Sequence, residues 1–260
     1  MISFNLSRRF VRVWQRNFRV YRKTWMISFA PPLLEPLFYL AAFGVGLGGV
    51  IGSLSYGGKA TNYTAYIAPA LIAINIMQSS FFETTFGSFV RMYYQKTFDA
   101  MLATPLTIEE IITGEILWGA TKSVIGTSLM MVILTFFGLL NFPHSLLLLP
   151  IAFLGGFAFS CAGMVCTSVV PTIETLNLPI FLFITPMFLF SGTFFPLDNL
   201  PLWAQNVAKF LPLTHLVELC RASALGRLSF YNSISIGYLV IWSAILFPIG
   251  VTGMRRRLVR

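Results

Sequence analysis

Few residues in this chain have the types and spacing that chemistry requires. The stretch Gly114-Glu-Ile-Leu-Trp-Gly119-Ala-Thr-Lys122-Ser123 comes nearest to a phosphate-cradling loop. Such a loop sets Lys directly after its second Gly, so that backbone amides and ammonium converge on the phosphates. Here Ala120 and Thr121 intervene within an apolar helix, so any nucleotide must be held by another chain. His144 and His215 stand far apart, and HExxH, GxSxG and CxxC are missing. His215 and Glu218 share a helical face without a nucleophile or oxyanion donor beside them, which points to a structural hydrogen bond. Cys161, Cys166 and Cys220 have no His or carboxylate at metal-ligand spacing and read as buried thiols. No catalytic residue, cofactor site or metal site is expected on this chain.

Carboxylates within apolar runs say more, because charge is expensive in lipid. Glu35 stands between Pro32 and Pro36, Glu83 lies near the end of the next run, and Glu174 sits at the junction of two runs. Each either lines a polar translocation path or pairs with Lys or Arg at headgroup level. The candidate path lining is Glu35, Phe38, Tyr39, Gln78, Phe81, Phe82, Glu83, Phe188 and Phe190. Packing is the competing role for each ring. No chain of Asp, Glu or His runs through the middle of several spans, which argues against proton-coupled transport.

These residues need a frame that lipid tolerates. Hydrophobic residues make up 56% of the chain and charged residues only 10%, with mean hydropathy +0.77. A soluble domain carries about 25% charged residues, so much of this exterior must face lipid. Apolar runs at about 27–49, 64–88, 112–138, 146–169, 177–195 and 233–252 each approach the roughly 20 residues that a crossing needs. In residues 1–26, Phe10, Trp14, Phe18, Tyr21 and Trp25 recur at three- and four-residue steps, with Arg8, Arg12, Arg16, Arg19 and Lys23 on another face. That pattern predicts a helix in the membrane interface, rings toward the acyl boundary. Its polarity and length exclude a cleavable signal peptide. Residues 196–230 are too short in each half to cross and too apolar for a free loop, which predicts two re-entrant helices. The expected fold class is all-α integral membrane: six transmembrane helices, an N-terminal interfacial amphipathic helix and short re-entrant helices before the last span.

Net charge is +9, and its placement sets an orientation. Seven basic residues from Arg8 to Lys23, together with Arg91, Lys96, Lys122, Arg255, Arg256, Arg257 and Arg260, fall on one side; Lys59, Lys209, Arg221 and Arg227 fall on the other. By the positive-inside rule both termini are cytoplasmic. Clusters beside spans read as anchors on an anionic leaflet rather than nucleic-acid contacts.

The strongest local feature lies in residues 90–111. Phe98, Met101 and Leu102 share a face, Thr104-Pro105 ends that helix, and Thr107 with Glu110 forms a capping box that opens the next. A short amphipathic helix between two spans suits a docking peg, and charge substitution at Phe98 or Leu102 is expected to uncouple a partner without harming insertion. Phe98-Asp-Ala-Met-Leu-Ala-Thr-Pro-Leu-Thr107 and Ile112-Thr-Gly-Glu115 resemble the coupling-helix region of ABC-2 type exporter permeases. Pro32-Leu-Leu-Glu-Pro-Leu-Phe-Tyr-Leu-Ala-Ala-Phe-Gly-Val-Gly-Leu-Gly48, Phe190-Ser-Gly-Thr-Phe-Phe-Pro196 and Leu211-Pro-Leu-Thr-His215 are similar to the same family, nearest its nodulation-factor, or lipooligosaccharide, branch. The likeness covers residues 1–260 as one transmembrane domain.

The resemblance implies a homodimeric inner-membrane permease that exports an amphiphilic glycolipid, lipooligosaccharide or polysaccharide. A separate ABC ATPase subunit, which carries ATP and Mg, docks at Lys96, Phe98, Asp99, Met101, Leu102, Thr104 and Pro105. A hydrophobic drug as cargo and an ion-coupled secondary carrier are the alternatives.

Overall fold

The computed structural model describes residues 7–48, 52–56 and 59–259. Helix α1 spans Phe10–Tyr39 and breaks at Thr24 (φ −113°, ψ 15°), at the expected border between the amphipathic segment and the first apolar run. It continues as a wider-turned helix, Leu40–Leu47. The side chains of residues 26–33, 35 and 36, and so the expectation for Glu35, lie outside the described residues.

An antiparallel hairpin follows, β1 Ser53–Tyr56 and β2 Lys59–Asn62, with Leu54 opposite Thr61. It is a small addition to an otherwise helical chain. Ser-Leu-Ser-Tyr alternates with the period of a strand, but four residues beside a glycine-rich run carry too weak a pattern to separate from a loop. Asn62 then caps the next helix by accepting from the Thr64 amide.

Helix α2, Tyr63–Tyr94, is the axis of the bundle, with 83% of its apolar window buried. Four of its hydroxyls are satisfied within it: Ser79, Ser80, Thr84 and Thr85 each donate to the carbonyl four residues back, at 2.6–3.0 Å. Such bonds loosen a helix, and the winding widens over Glu83–Gly87 and Val90–Tyr94. Helix α3, Thr97–Leu102, and α4, Ile108–Phe136, come next. They are followed by α5, His144–Val169, and the shorter apolar α6, Glu174–Phe190.

Two short helices, α7 Leu202–Lys209 and α8 Pro212–Ala224, then occupy the segment predicted to fold back. Most of α8 is buried against its neighbours, so its backbone is satisfied inside protein. The last helix, α9, covers Tyr231–Leu258 and buries only 28% of its apolar window, leaving Ile241 and Ile245 exposed as a lipid face requires. Among the described residues, α2, α4, α5 and α9 are long and apolar enough to cross a membrane.

Small residues let these helices approach. A Cβ on Gly156 of α5 would stand 3.1 Å from Ala120 Cα of α4, and one on Gly119 would meet Ser160 Oγ at 2.3 Å. Gly119, half of the near-miss phosphate loop, is therefore a packing residue. Without a hydrophobic drive between helices in lipid, close backbone approach of this kind supplies the association energy.

Candidate functional site

The chain reverses sharply to present α3. Lys96 adopts φ +52°, the left-handed region, at a cost of about 1–2 kcal/mol for a non-glycine residue. Helix α3 ends at Leu102, where Thr104 Oγ1 donates to the Met101 carbonyl. The capping box is present in full: the Glu110 amide donates to Thr107 Oγ1, and the Thr107 amide to Glu110 Oε2 at 3.0 Å. Beyond it, Ser7 Oγ donates to Glu110 Oε1, Arg9 donates to the Pro105 carbonyl at 2.7 Å, and Arg255 pairs with Glu109 at 3.5 Å. The two end segments thus meet the start of α4 beside α3.

The apolar face of α3 does not point outward. Phe98 is 0% exposed and packs in a core with Phe89, Met92, Ile111 and Ile112, while Met101 and Leu102 lean half-buried on the same core. The expectation that charge at Phe98 acts on docking alone is therefore corrected. Phe98 is the root of the peg, and a charge there breaks the fold. The outer surface belongs to Lys96, Asp99, Ala100, Ala103, Thr104 and Pro105. A cavity of about 450 Å³, walled by Arg12, Arg16, Gln95 and Met101 among others, lies between this helix and α1.

Directly behind the peg sits a buried charge cluster that joins α1, α2 and α4. Arg91 holds Glu83 at 2.7 Å and Glu115 at 2.6 Å, and Lys122 holds the other oxygen of Glu83 at 2.7 Å. Asn17 Nδ2 and Ser88 Oγ donate to Glu115 at 2.7 and 2.8 Å, and Trp118 Nε1 donates to Glu83 at 3.1 Å. Two carboxylates and two cations cancel, and every carboxylate oxygen has a donor, the condition under which buried ion pairs hold. Glu83 therefore takes the paired role of the two foreseen. The expectations from sequence assigned no ion-pair partner to Arg91 or Lys122 and no pairing to Asn17, Ser88, Glu115 or Trp118. A signal was present: Glu83 with Arg91 and Glu115 with Lys122 each set an acid and a base about two turns apart on one helix.

The aromatic stripe of α1 meets α4 in the same region. Trp14 stacks on Phe18 at 5.5 Å, Tyr21 meets Trp118 edge-on at 5.5 Å, and Trp14 Nε1 donates to Thr121 Oγ1 at 2.8 Å. The three α1 rings pack on α4, while Trp25 of the same stripe is 52% exposed. Gly114 makes the contact possible, since a Cβ there would lie 2.6 Å from Val13 Cβ and 2.9 Å from the Phe10 carbonyl. Gly114→Ala is expected to push α1 off α4 and cost about 1–3 kcal/mol, read as a lowered unfolding midpoint of the purified protein.

The other path candidates scatter. Tyr39 and Phe188 meet at 5.9 Å, joined by Phe43 and Phe194, whose rings lie 4.9 Å apart. Phe38 is exposed, Gln78 and Phe82 are half-buried, Phe81 is in the core, and Phe190 packs on Trp203 at 6.2 Å. His215 and Glu218 meet a common hydroxyl, Ser235 Oγ, and His215 Nε2 faces the Lys209 carbonyl at 3.0 Å.

The family model described as ABC-2 type transporter matches residues 8–225. The chain belongs to the ABC-2 type transporter family. Nodulation protein J of Rhizobium leguminosarum bv. viciae is 37% identical over 252 residues, 95% of this chain and 94% of that protein. Nodulation protein J of Rhizobium meliloti (strain 1021) is 34% identical, covering 95% and 93%. The Escherichia coli inner membrane transport permease YadH is 23% identical over 82% of each chain. This ABC-2 permease is thus a multi-pass protein of the bacterial inner membrane, the membrane subunit of an ABC exporter whose ATP site lies on a partner ATPase.

Proposed function

We propose that this chain moves an amphiphilic glycolipid, lipooligosaccharide or polysaccharide outward across the inner membrane, as one of two identical copies, each docked by an ATPase at α3. The observation that carries the reading is the exposed outer face of α3, rooted by Phe98 and tied through Arg91 to α1, α2 and α4. A push on α3 then moves three helices together. Near-full-length similarity to Nodulation protein J supports the cargo class, and dimerisation rests on the family resemblance. The ATP and Mg belong to the partner.

Six crossings with both termini in the cytoplasm agree with the described contacts. Arg9 and Arg255 both reach the α3 end, and α1 and α6 add two crossings to the four long helices. Residues 7–26 then lie along the inner surface, and α7 and α8 fill the outer half. The aromatic group of Tyr39, Phe43, Phe188 and Phe194 is the proposed part of the path nearest the dimer axis. Glu83 and Glu115 are held in fixed pairs, which weighs against an ion-coupled carrier.

An ATPase encoded beside the gene is expected to co-purify, and a reporter fused after Arg260 is expected to sit in the cytoplasm. Transport without a companion protein, or a periplasmic reporter, overturns the reading. Analysis of what accumulates in a deletion strain separates a glycolipid from a hydrophobic drug.

A further inference from the structure

At the end of the bundle away from α3, a pocket of about 580 Å³ opens between the hairpin, the start of α2, the turn after α6, α8 and the start of α9. That volume is within the range of small-ligand sites, about 300–1,000 Å³. Two tyrosine rings, Tyr56 and Tyr66, stand 6.0 Å apart at 72° on one wall. The Arg221 guanidinium lies 3.7 Å over Tyr66, donating to the Tyr66 carbonyl at 3.1 Å and the Gly192 carbonyl at 3.0 Å. Gly192 offers that carbonyl because it turns the chain at φ +68°.

Of the nine buried side-chain polar atoms without a hydrogen-bond partner among the described residues, three line this pocket. Ser191 Oγ and Thr214 Oγ1, on residues only 1% and 7% exposed, and the Asn232 amide nitrogen have no hydrogen-bond partner. A buried polar atom left unpaired costs about 1–3 kcal/mol, so three around one cavity mark a place where a ligand's own polar groups complete the set. Charge narrows its chemistry. Arg221 and Arg227 are balanced by Asp198 and Glu218, so neither an anion nor a cation is favoured. Unsatisfied hydroxyls and an amide, fixed donors and acceptors, and an aromatic wall with no net charge match a neutral polyhydroxyl compound.

We propose that this pocket binds a neutral saccharide unit. Its role as a site for the sugar portion of the cargo rests on the export reading; binding itself does not. Full-length protein in phosphatidylcholine nanodiscs, with its ATPase bound, is applied to a glycan array of neutral and anionic oligosaccharides, then titrated with the best-retained neutral glycan. Retention of a neutral glycan is expected, weakened about tenfold or more in Ser191→Ala and in Thr214→Val, and again in Tyr56→Ala, with unfolding midpoints unchanged. Retention of anionic glycans alone, of none, or of neutral ones equally by the three variants overturns the proposal. Loss of the ATPase during purification counts against the export reading instead, whatever the array shows.

Discussion

Arg91→Met is expected to destabilise the protein by about 3–5 kcal/mol, measured as a shift of the denaturant midpoint of purified material. Arg91 is the cation shared by Glu83 and Glu115. Methionine keeps much of its volume but removes every donor. Glu83 would retain Lys122 and Trp118, whereas Glu115, with a fully buried side chain, would keep hydrogen bonds from Asn17 and Ser88 and no directly paired cation. The loss is therefore that of an uncompensated buried carboxylate, not of one bond. The double variant Arg91→Met, Glu115→Gln should recover more than half of the deficit, because the neutral amide no longer needs a cation. Lys96→Ala is the contrast. Its pair with Asp99 spans 3.9 Å with both side chains more than 60% exposed, so its effect should stay below about 1 kcal/mol. Equal losses in Arg91→Met and Lys96→Ala, or no recovery in the double variant, would show that the cluster does not bind the helices together.

Features that depend on one stretch of chain were legible in the sequence. The apolar runs, the stop at Thr104-Pro105, the capping box of Thr107 and Glu110, and the two short helices after α6 follow from local patterns of polarity and turn chemistry. What needed two segments at once was not. An amphipathic stripe states that one face is buried without stating against what, so Trp14 and Tyr21 looked ready for lipid when α4 was their partner. The same ambiguity made Phe98 look like a contact for another protein. Gly114 and Gly119 resembled a phosphate loop because the reason for a glycine, here the approach of α1 and α5 to α4, lies in another helix. The pocket beside Arg221 draws on five segments and had no local signature beyond an arginine assigned to the sparse side of the charge count.

The outer face of α3 carries the second large effect. Ala100→Glu is expected to abolish co-purification of the ATPase while leaving yield, membrane insertion and unfolding midpoint close to those of the unmodified protein. Ala100 is exposed on a helix anchored through Phe98, at the rim of the cavity that α3 shares with Arg12 and Arg16 of α1. A charge there costs the permease little and meets the partner directly, and an unpaired charge buried in an interface weakens it by several kcal/mol. Phe98→Ala separates docking from stability. Its ring is fully buried among Phe89, Ile111 and Ile112, so its removal should cost about 3–5 kcal/mol as a cavity. Both variants lose the complex, but only Phe98→Ala loses the fold. If Ala100→Glu retains the ATPase, or unfolds with Phe98→Ala, the peg does not dock by this face, and the route from α3 through Arg91 into the bundle carries no load.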